Sequence, residues 1–510
     1  MAIVERLEAS PGQRGRLALA NPATLAPLGE VELATSHDVS AAVERARKAQ
    51  PEWGALSVSE RGHYLERALR TLVQRADDFV STLVSETGKP ATEAIATEIL
   101  TSCDALQFYA KRAKHALADR KLPLHLMKTK RLYLVYRPLG VVGIITPWNF
   151  PFLLALNPSA QALMAGNTVV LKPSEATPLS GQLVEELFQS AGLPEGVFNL
   201  VQGDGEVGAA LTKAAVDKIA FTGSVETGRC VAEQCARRLL PCSLELGGKD
   251  PMIVCADADL ERAARGAVYG AFANAGQVCT STERVYVVDE VAEPFLEKVL
   301  RETTALRQGA EGEFEVGSLI RAEQLAVIED HVQDAVARGA RVMAGGRRNP
   351  DCEGIFYEPT VLVDVNHEMK VMREETFGPL LPVMVVRDED EALRLANDSR
   401  YGLNASVWTR SRHRGLELAR SIDSGCAVVN DCMITYGVTE SPFGGVKESG
   451  LGRVNGEAGL QGFSQLQSIL VDRFGGRSEF LWYPYTARKL RFLKRALRTV
   501  WGGALGRLLS

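Results

Sequence analysis

Residues 141–223 read VVGIITPWNFPFLLALNPSAQALMAGNTVVLKPSEATPLSGQLVEELFQSAGLPEGVFNLVQGDGEVGAALTKAAVDKIAFTG. Four short apolar runs, VVGIIT, NTVVLKP, FNLVQG and DKIAFTG, are separated by stretches with helical spacing. Short apolar runs alternating with helices are the rhythm of a parallel sheet buried on both faces. The alternation resumes after residue 250, with PMIVCADAD, a helix ending near Ala275, ERVYVVDE, a helix from Val291, and GARVMAGG. The expected fold class is therefore α/β, in two α/β domains that meet near Leu246-Gly247-Gly248.

Upstream of this stretch, residues 38–118 read as helices. DVSAAVERARKAQPEW follows a cap signal at Ser36-His37-Asp38, and a second pattern opens with Ser59 and closes with Gly88 and Pro90. Residues 93–118 form a third amphipathic stretch. The period then changes in KRLYLVYRP, where Leu132, Leu134 and Tyr136 alternate with Tyr133 and Val135 as in a strand.

The bulk properties narrow the function. A chain of 510 residues has room for two or three domains with clefts between them. Its 46% hydrophobic and 24% charged content is that of a soluble globular protein, and a net charge of −5 argues against nucleic acid as a partner. The opening MAIVERLEASPGQRGR carries charge where a secretory leader needs an apolar core, so none is expected. Nine irregularly spaced cysteines fit a reducing compartment, and a cytoplasmic location follows. The seven histidines form no HExxH, and no metal is expected.

Six segments carry candidate chemistry. FANAGQVCTSTERVYV sets Cys279 in a turn before a strand, where a polar pocket would activate a thiol nucleophile. SLELGGKDPMIV sets Glu245 in an apolar strand beside Gly247-Gly248, where desolvation would raise its pKa toward that of a general base. TPWNFP holds Asn149 in a proline-stiffened loop at a strand's C-terminal end, where open α/β sheets bind ligands and an amide can donate to an oxyanion. FTGSVETG opens a helix whose N-terminus, at Gly223 and Ser224, could face a pyrophosphate. VLKPSEATP offers Lys172 and Glu175 to a ribose, and the carboxylate would repel a 2′-phosphate, favouring NAD over NADP. MREETFGP offers Glu375 and Phe377 to the nicotinamide end. The GxGxxG of Gly203–Gly208 is a weak signal by itself. Taken singly, each segment also reads as an ordinary turn, a buried thiol or a paired carboxylate.

Together and in order, PWNFP, KPSE, FTGS, LELGGK, GQVCT, EETFGP and SPFGGVKESGLGR closely resemble the aldehyde dehydrogenase superfamily over roughly residues 20–472. The resemblance implies that Cys279 attacks an aldehyde and that Asn149 and the Cys279 N–H hold the oxyanion. Hydride then passes to a nicotinamide, and Glu245 activates water to release the acid. Acylating relatives that use coenzyme A typically lack this glutamate, so its presence favours hydrolysis. The implied cofactor, NAD with NADP as the alternative, would meet Thr146, Pro147, Trp148, Lys172, Ser174, Glu175, Gly203, Thr222, Gly223, Ser224, Gly228, Leu246, Gly247, Glu375 and Phe377. The implied fold is a Rossmann-like cofactor domain (1–119 and 139–246), a catalytic α/β domain (247–461) and a small β oligomerisation extension (120–138 and 462–475). A homodimer or homotetramer is expected. Coenzyme A-dependent acylation and a silent scaffold that kept the fold are the competing readings.

A basic tail, 476–510, departs from the family pattern. From Leu481 to Ser510 there are seven Lys or Arg and no acid, so the net −5 splits into +7 on this stretch and −12 on the rest. Leu490, Leu493, Leu497, Val500 and Trp501 recur at helical spacing, with Arg488, Arg491, Lys494, Arg495 and Arg498 largely on other faces, and Gly502-Gly503 would stop the helix. Residues 487–509 thus read as a peripheral membrane contact, as an apolar stripe packed on the body or a partner subunit, or as a disordered tail. Apolar residues after Asn149 (Phe150, Phe152, Leu153, Leu154) and beside the nucleophile (Val278) favour an apolar or long-chain aldehyde.

Overall fold

A computed structural model describes residues 3–7 and 14–502. Part of the opening stretch and the tail from Gly503 on lie outside the described residues; of the expected helix stop, Gly502 is described and Gly503 is not.

The strands of 141–223 form one sheet. Its order is Gly450–Leu451, Cys242–Glu245, Lys218–Thr222, Val141–Ile145, Thr168–Lys172, Phe198–Leu200. All neighbours run parallel except Gly450–Leu451. Val141–Ile145 and Thr168–Lys172 are buried at every position, which is why they read as unbroken apolar runs rather than alternating ones. The register sets Ile145 opposite both Lys172 and Phe221, and Glu245 opposite Thr222. The segments after these strands, TPWNF, PSE, GS and LGG, therefore leave the sheet along one edge, its C-terminal edge.

A second sheet is ordered Arg341–Ala344, Thr360–Val363, Leu380–Val386, Thr282–Val288, Asp250–Val254, Ser406–Trp408, Val428–Val429, parallel apart from its first strand. Met252, Val285, Tyr286, Leu381 and Val407 fill its core. Between the two sheets the chain runs only from Glu245 to Asp250, at the expected meeting point. Gly450–Leu451 departs from that division: it comes from the later half of the chain yet pairs with Leu244 and Glu245. Both sheets accordingly belong to one compact unit, the chain up to Ala116 with Pro138–Ser464.

The second unit, Leu117–Arg137 with the chain from Gln465 on, is built around a sheet of Arg120–Leu122, Lys130–Pro138 and Ser464–Asp472. It also carries the tail helix, Ala487–Val500, capped by Thr486, whose hydroxyl accepts from the Lys489 N–H.

The helix starts differ from their expected positions. Thr35, not Ser36, caps Ser36–Ala55, because Asp38 at N3 reaches back to the Thr35 N–H and closes a capping box. Ser57 with Glu60 does the same for Val58–Gln74. The single pattern expected over 59–88 breaks at Arg75 into Val58–Gln74 and Ala76–Thr87. The third stretch contains a π-helical segment, Ala94–Leu100, before Thr101–Ala116.

Candidate active site

The turn that presents Cys279 is conformationally costly. After the helix Leu260–Phe272, Asn274, Ala275 and Gly276 take φ of 50°, 53° and 74°. Left-handed backbone costs a residue with a side chain about 1–2 kcal/mol, so the surroundings must impose it. The Asn274 N–H donates to Glu93 Oε1 at 2.6 Å, and the Ile320 N–H donates to Gln277 Oε1 at 2.8 Å. A Cβ on Gly276 would lie 2.2 Å from the Gly378 carbonyl oxygen, and one on Gly248 2.5 Å from that of Cys279. Burial pushes the Cys279 thiol up, and the carboxylates of Asp250, Glu375 and Glu245 push it further. Its surroundings thus favour the protonated sulfur over the thiolate.

Glu245 closes the strand Cys242–Glu245 and is 5% exposed. Neither of its carboxyl oxygens has a hydrogen-bond partner among the described residues. Burial lifts its pKa well above the ordinary carboxylate range, opposed in part by the Arg453 charge. Glu86, also buried, by contrast accepts from the Leu179 and Ser180 N–H groups. A desolvated carboxyl left without partners at a strand end is the arrangement expected of a proton-transfer group.

Asn149 follows Val141–Ile145 in the stiff TPWNFP loop. Its Nδ2 donates to the Gln277 carbonyl at 3.0 Å, which occupies one of two amide hydrogens, and its Oδ1 has no partner among the described residues. Its own carbonyl accepts from Lys89 Nζ at 2.9 Å and Asn274 Nδ2 at 3.0 Å. Lys89 and Glu98 are 1% and 0% exposed and pair at 2.7 Å. The second Glu98 oxygen accepts from the N–H groups of Phe152 and Leu153 at 2.9 and 3.3 Å. One buried ion pair thus grips both ends of the Asn149 loop. The sequence reading picks out neither member: Lys89 sits in a helix-stop signal, and Glu98 occupies a polar slot of an amphipathic pattern. Its position on a π-turn is where such turns often serve sites.

Cys279, Glu245 and Asn149 line a single cleft of about 500 Å³. Nine of the expected cofactor residues line it too: Pro147, Trp148, Thr222, Gly223, Ser224, Leu246, Gly247, Glu375 and Phe377. Ser224 caps the helix Val225–Ala236, accepting from the Thr227 N–H, so that helix's N-terminus opens on the cleft. The rings of Trp148 and Phe377 meet edge to face at 5.2 Å. Glu375 Oε1 accepts from the Gly248 N–H at 3.1 Å, and burial raises its pKa to about 8. The loop bearing Glu375 and Phe377 is held by buried Glu283, which accepts from the N–H groups of Thr376 and Phe377 and pairs with Lys249.

The remaining expected cofactor residues stand off the cleft wall. Lys172 and Glu175 pair at 3.4 Å, and Glu175 reaches the cleft through Arg321 at 3.8 Å. Thr146 Oγ1 is buried without a partner among the described residues, and Ser174 Oγ accepts from the Ala176 N–H. Gly203 precedes the helix Gly205–Lys213. Gly228 lies inside its helix, where a Cβ would strike Leu246 Cδ2 at 2.4 Å, so it lets the helix press on the strand end. Leu403, Cys426, Phe443 and Val454 form an apolar cluster against which both Cys279 and Tyr436 pack. Away from the cleft, Cys255, Asp257 and Glu389 bring ligand atoms within 4.8 Å of one another, but Asp257 already accepts from Thr409 and Glu389 from Arg414.

Residues 9–469 match the model of the aldehyde dehydrogenase family. The chain belongs to the aldehyde dehydrogenase family. It is 43% identical over 465 residues, 90% of this chain and 86% of the relative, to the 4,4'-diapolycopene aldehyde oxidase of a Methylomonas species. It is 38% identical over 471 residues, 92% and 96% of the two chains, to the glutarate-semialdehyde dehydrogenase of Pseudomonas putida. A Mycobacterium tuberculosis aldehyde dehydrogenase solved with NAD+ superposes with a TM-score of 0.87 at 35% identity, covering 93% of this chain and 98% of that one. This aldehyde dehydrogenase is an oxidoreductase that uses NAD(P). The cleft suits such a cofactor: a helix N-terminus opens on it where a pyrophosphate could sit, and Glu375 and Phe377 line it together with the cysteine.

Proposed function

We propose that the enzyme oxidises an apolar aldehyde to the free carboxylic acid, with Cys279 as nucleophile, Glu245 as base and Asn149 as oxyanion donor. The observation that carries this is Glu245, buried without partners and lining the cleft that also holds Cys279. Glu245 takes the thiol proton as sulfur bonds to the aldehyde carbon, giving a thiohemiacetal. The free Asn149 amide hydrogen and the Cys279 N–H receive the developing oxyanion. A nicotinamide held in the cleft would supply the hydride acceptor. Collapse of the oxyanion expels hydride from carbon and leaves a Cys279 thioester. Glu245 passes the thiol proton to solvent and then deprotonates water, which adds to the thioester; the C–S bond breaks, the Cys279 thiolate leaves and the carboxylic acid is released. The balance is RCHO + NAD(P)+ + H2O → RCOO− + NAD(P)H + 2 H+.

Three finer readings belong to this proposal. The cluster of Leu403, Cys426, Phe443 and Val454 beside Cys279 supports an apolar acyl chain. Glu175 supports NAD as the preferred cofactor, since its carboxylate would oppose a 2′-phosphate. Ser464–Asp472, a nine-residue edge strand with Leu466 and Leu470 exposed, supports pairing with a second copy in a homodimer or homotetramer. The body is assigned to the cytoplasm, with the basic tail as its contact with a membrane surface.

The test is turnover of a series from acetaldehyde to long-chain and dicarboxylic semialdehydes, followed by NAD(P)H absorbance and product analysis. Free acid, kcat/KM rising with chain length, and no turnover by Cys279→Ala are expected. A preference for semialdehydes would refute the apolar reading, and a coenzyme A thioester product would refute hydrolysis.

A further inference from the structure

We propose that Phe480–Trp501 lies flat on a phospholipid surface and recognises its negative charge, binding anionic and not neutral bilayers. This deepens the membrane reading of the tail and is independent of the catalytic assignment.

The helix Ala487–Val500 buries none of its residues. Leu490, Leu497 and Trp501 are 54%, 59% and 61% exposed, so among the described residues of its own unit the apolar stripe is not spent on packing. At about 100° per residue, Leu490, Leu493, Leu497 and Trp501 fall within one arc roughly 80° wide. Arg488, Arg491, Arg495 and Arg498 fall within an opposite arc of similar width. Just before the helix, Phe480, Leu481, Trp482, Tyr483 and Tyr485 are all exposed. Phe480 packs on Phe492 at 5.0 Å, which ties the aromatic run to the helix outside its apolar arc, and Tyr483 packs on Tyr485 at 4.6 Å. Trp and Tyr are the side chains that settle at the level of lipid headgroups.

The charge selects the occupant. Residues 480–510 contain no Asp or Glu, and six Lys or Arg lie between Arg488 and Arg498. A helix docked on protein buries its apolar stripe and leaves an opposite basic arc in water. At an anionic bilayer surface both are used: the apolar arc enters the acyl boundary while long basic side chains reach back to phosphates. Crossing the bilayer is excluded for this helix. Its 14 residues span about 21 Å against a hydrocarbon core of about 30 Å, and no described helix is long and apolar enough to cross.

The experiment is flotation of the full chain with phosphatidylcholine vesicles, with and without phosphatidylglycerol. Flotation is expected with the anionic vesicles alone and should weaken in high salt. Arg491→Ala and Arg495→Ala should each weaken partition about fivefold. Leu493→Glu/Leu497→Glu should abolish it while aldehyde turnover persists, which keeps a folding defect distinguishable. Equal flotation with both vesicle types would overturn charge recognition and leave the membrane reading standing. Flotation with neither would overturn both. Lipid-free self-association lost in Leu493→Glu/Leu497→Glu, without flotation, would make a second copy the occupant and overturn the proposal.

Discussion

Replacing Lys89 by Met should separate the stability of the Asn149 loop from its catalytic alignment. Lys89 donates to Glu98 at 2.7 Å and to the Asn149 carbonyl at 2.9 Å, in a site 1% exposed or less. Removing the ammonium leaves the Glu98 carboxylate buried with the Phe152 and Leu153 N–H groups as its donors. Breaking one side of a buried pair costs about 3–5 kcal/mol, so the single variant should lose about that much folding stability. Lys89→Met/Glu98→Gln removes both charges and keeps an acceptor for Phe152, so most of that loss should return. Activity should not return with it. A hydrogen bond from a charged donor is worth about 2 kcal/mol, and if that support of Asn149 is felt only in the transition state it amounts to about thirtyfold in kcat. Urea unfolding gives the first quantity, and steady-state kinetics at saturating cofactor gives the second, with KM expected to move less than about threefold. A double variant with wild-type kcat would refute the positioning argument, as would a kcat that recovers in step with stability.

The carboxyl groups give two further expectations. Glu375 has a pKa raised by burial from 4.5 to about 8. The native state therefore holds a proton that the unfolded chain releases between those values, and stability falls by about 1.4 kcal/mol per pH unit as pH rises through that window. Glu375→Gln removes this slope, so its Tm relative to wild type should climb from about pH 5 to about pH 8; a constant difference would contradict the burial argument. Glu175→Gln removes a charge opposed to a 2′-phosphate and should shift the kcat/KM ratio about tenfold toward NADP, a change worth about 1.4 kcal/mol. An unchanged ratio would place cofactor choice on other residues.

Much of the site is legible in sequence because parallel sheets put functional loops after their strands. VVGIIT, NTVVLKP, DKIAFTG and SLELGG each end at a residue of the cleft or one shell behind it. Periodicity reports which face of an element is buried, but it does not report partners distant in the chain. The Lys89–Glu98 grip on residues 149–153 joins segments some 50 to 60 residues apart, and in sequence both members look like solvated charges. The Gly450–Leu451 strand was invisible because two residues carry no period. Helix starts moved to Thr35 and Ser57 because a capping box needs its acid three residues after the cap, and Asp38 and Glu60 fix those positions. The left-handed turn at Asn274 and Ala275 leaves no propensity signal either, since contacts with Glu93, Asn149 and Gln277 impose it.

The central claim is that Cys279 carries the acyl group and Glu245 discharges it. Glu245→Gln mixed with a medium-chain aldehyde and NAD+ should still release NADH at a reduced rate, then stall. Intact-mass and peptide mass spectrometry of the stalled protein should find one acyl group, on Cys279. An adduct on another residue would contradict the account, as would steady turnover to free acid at the wild-type rate.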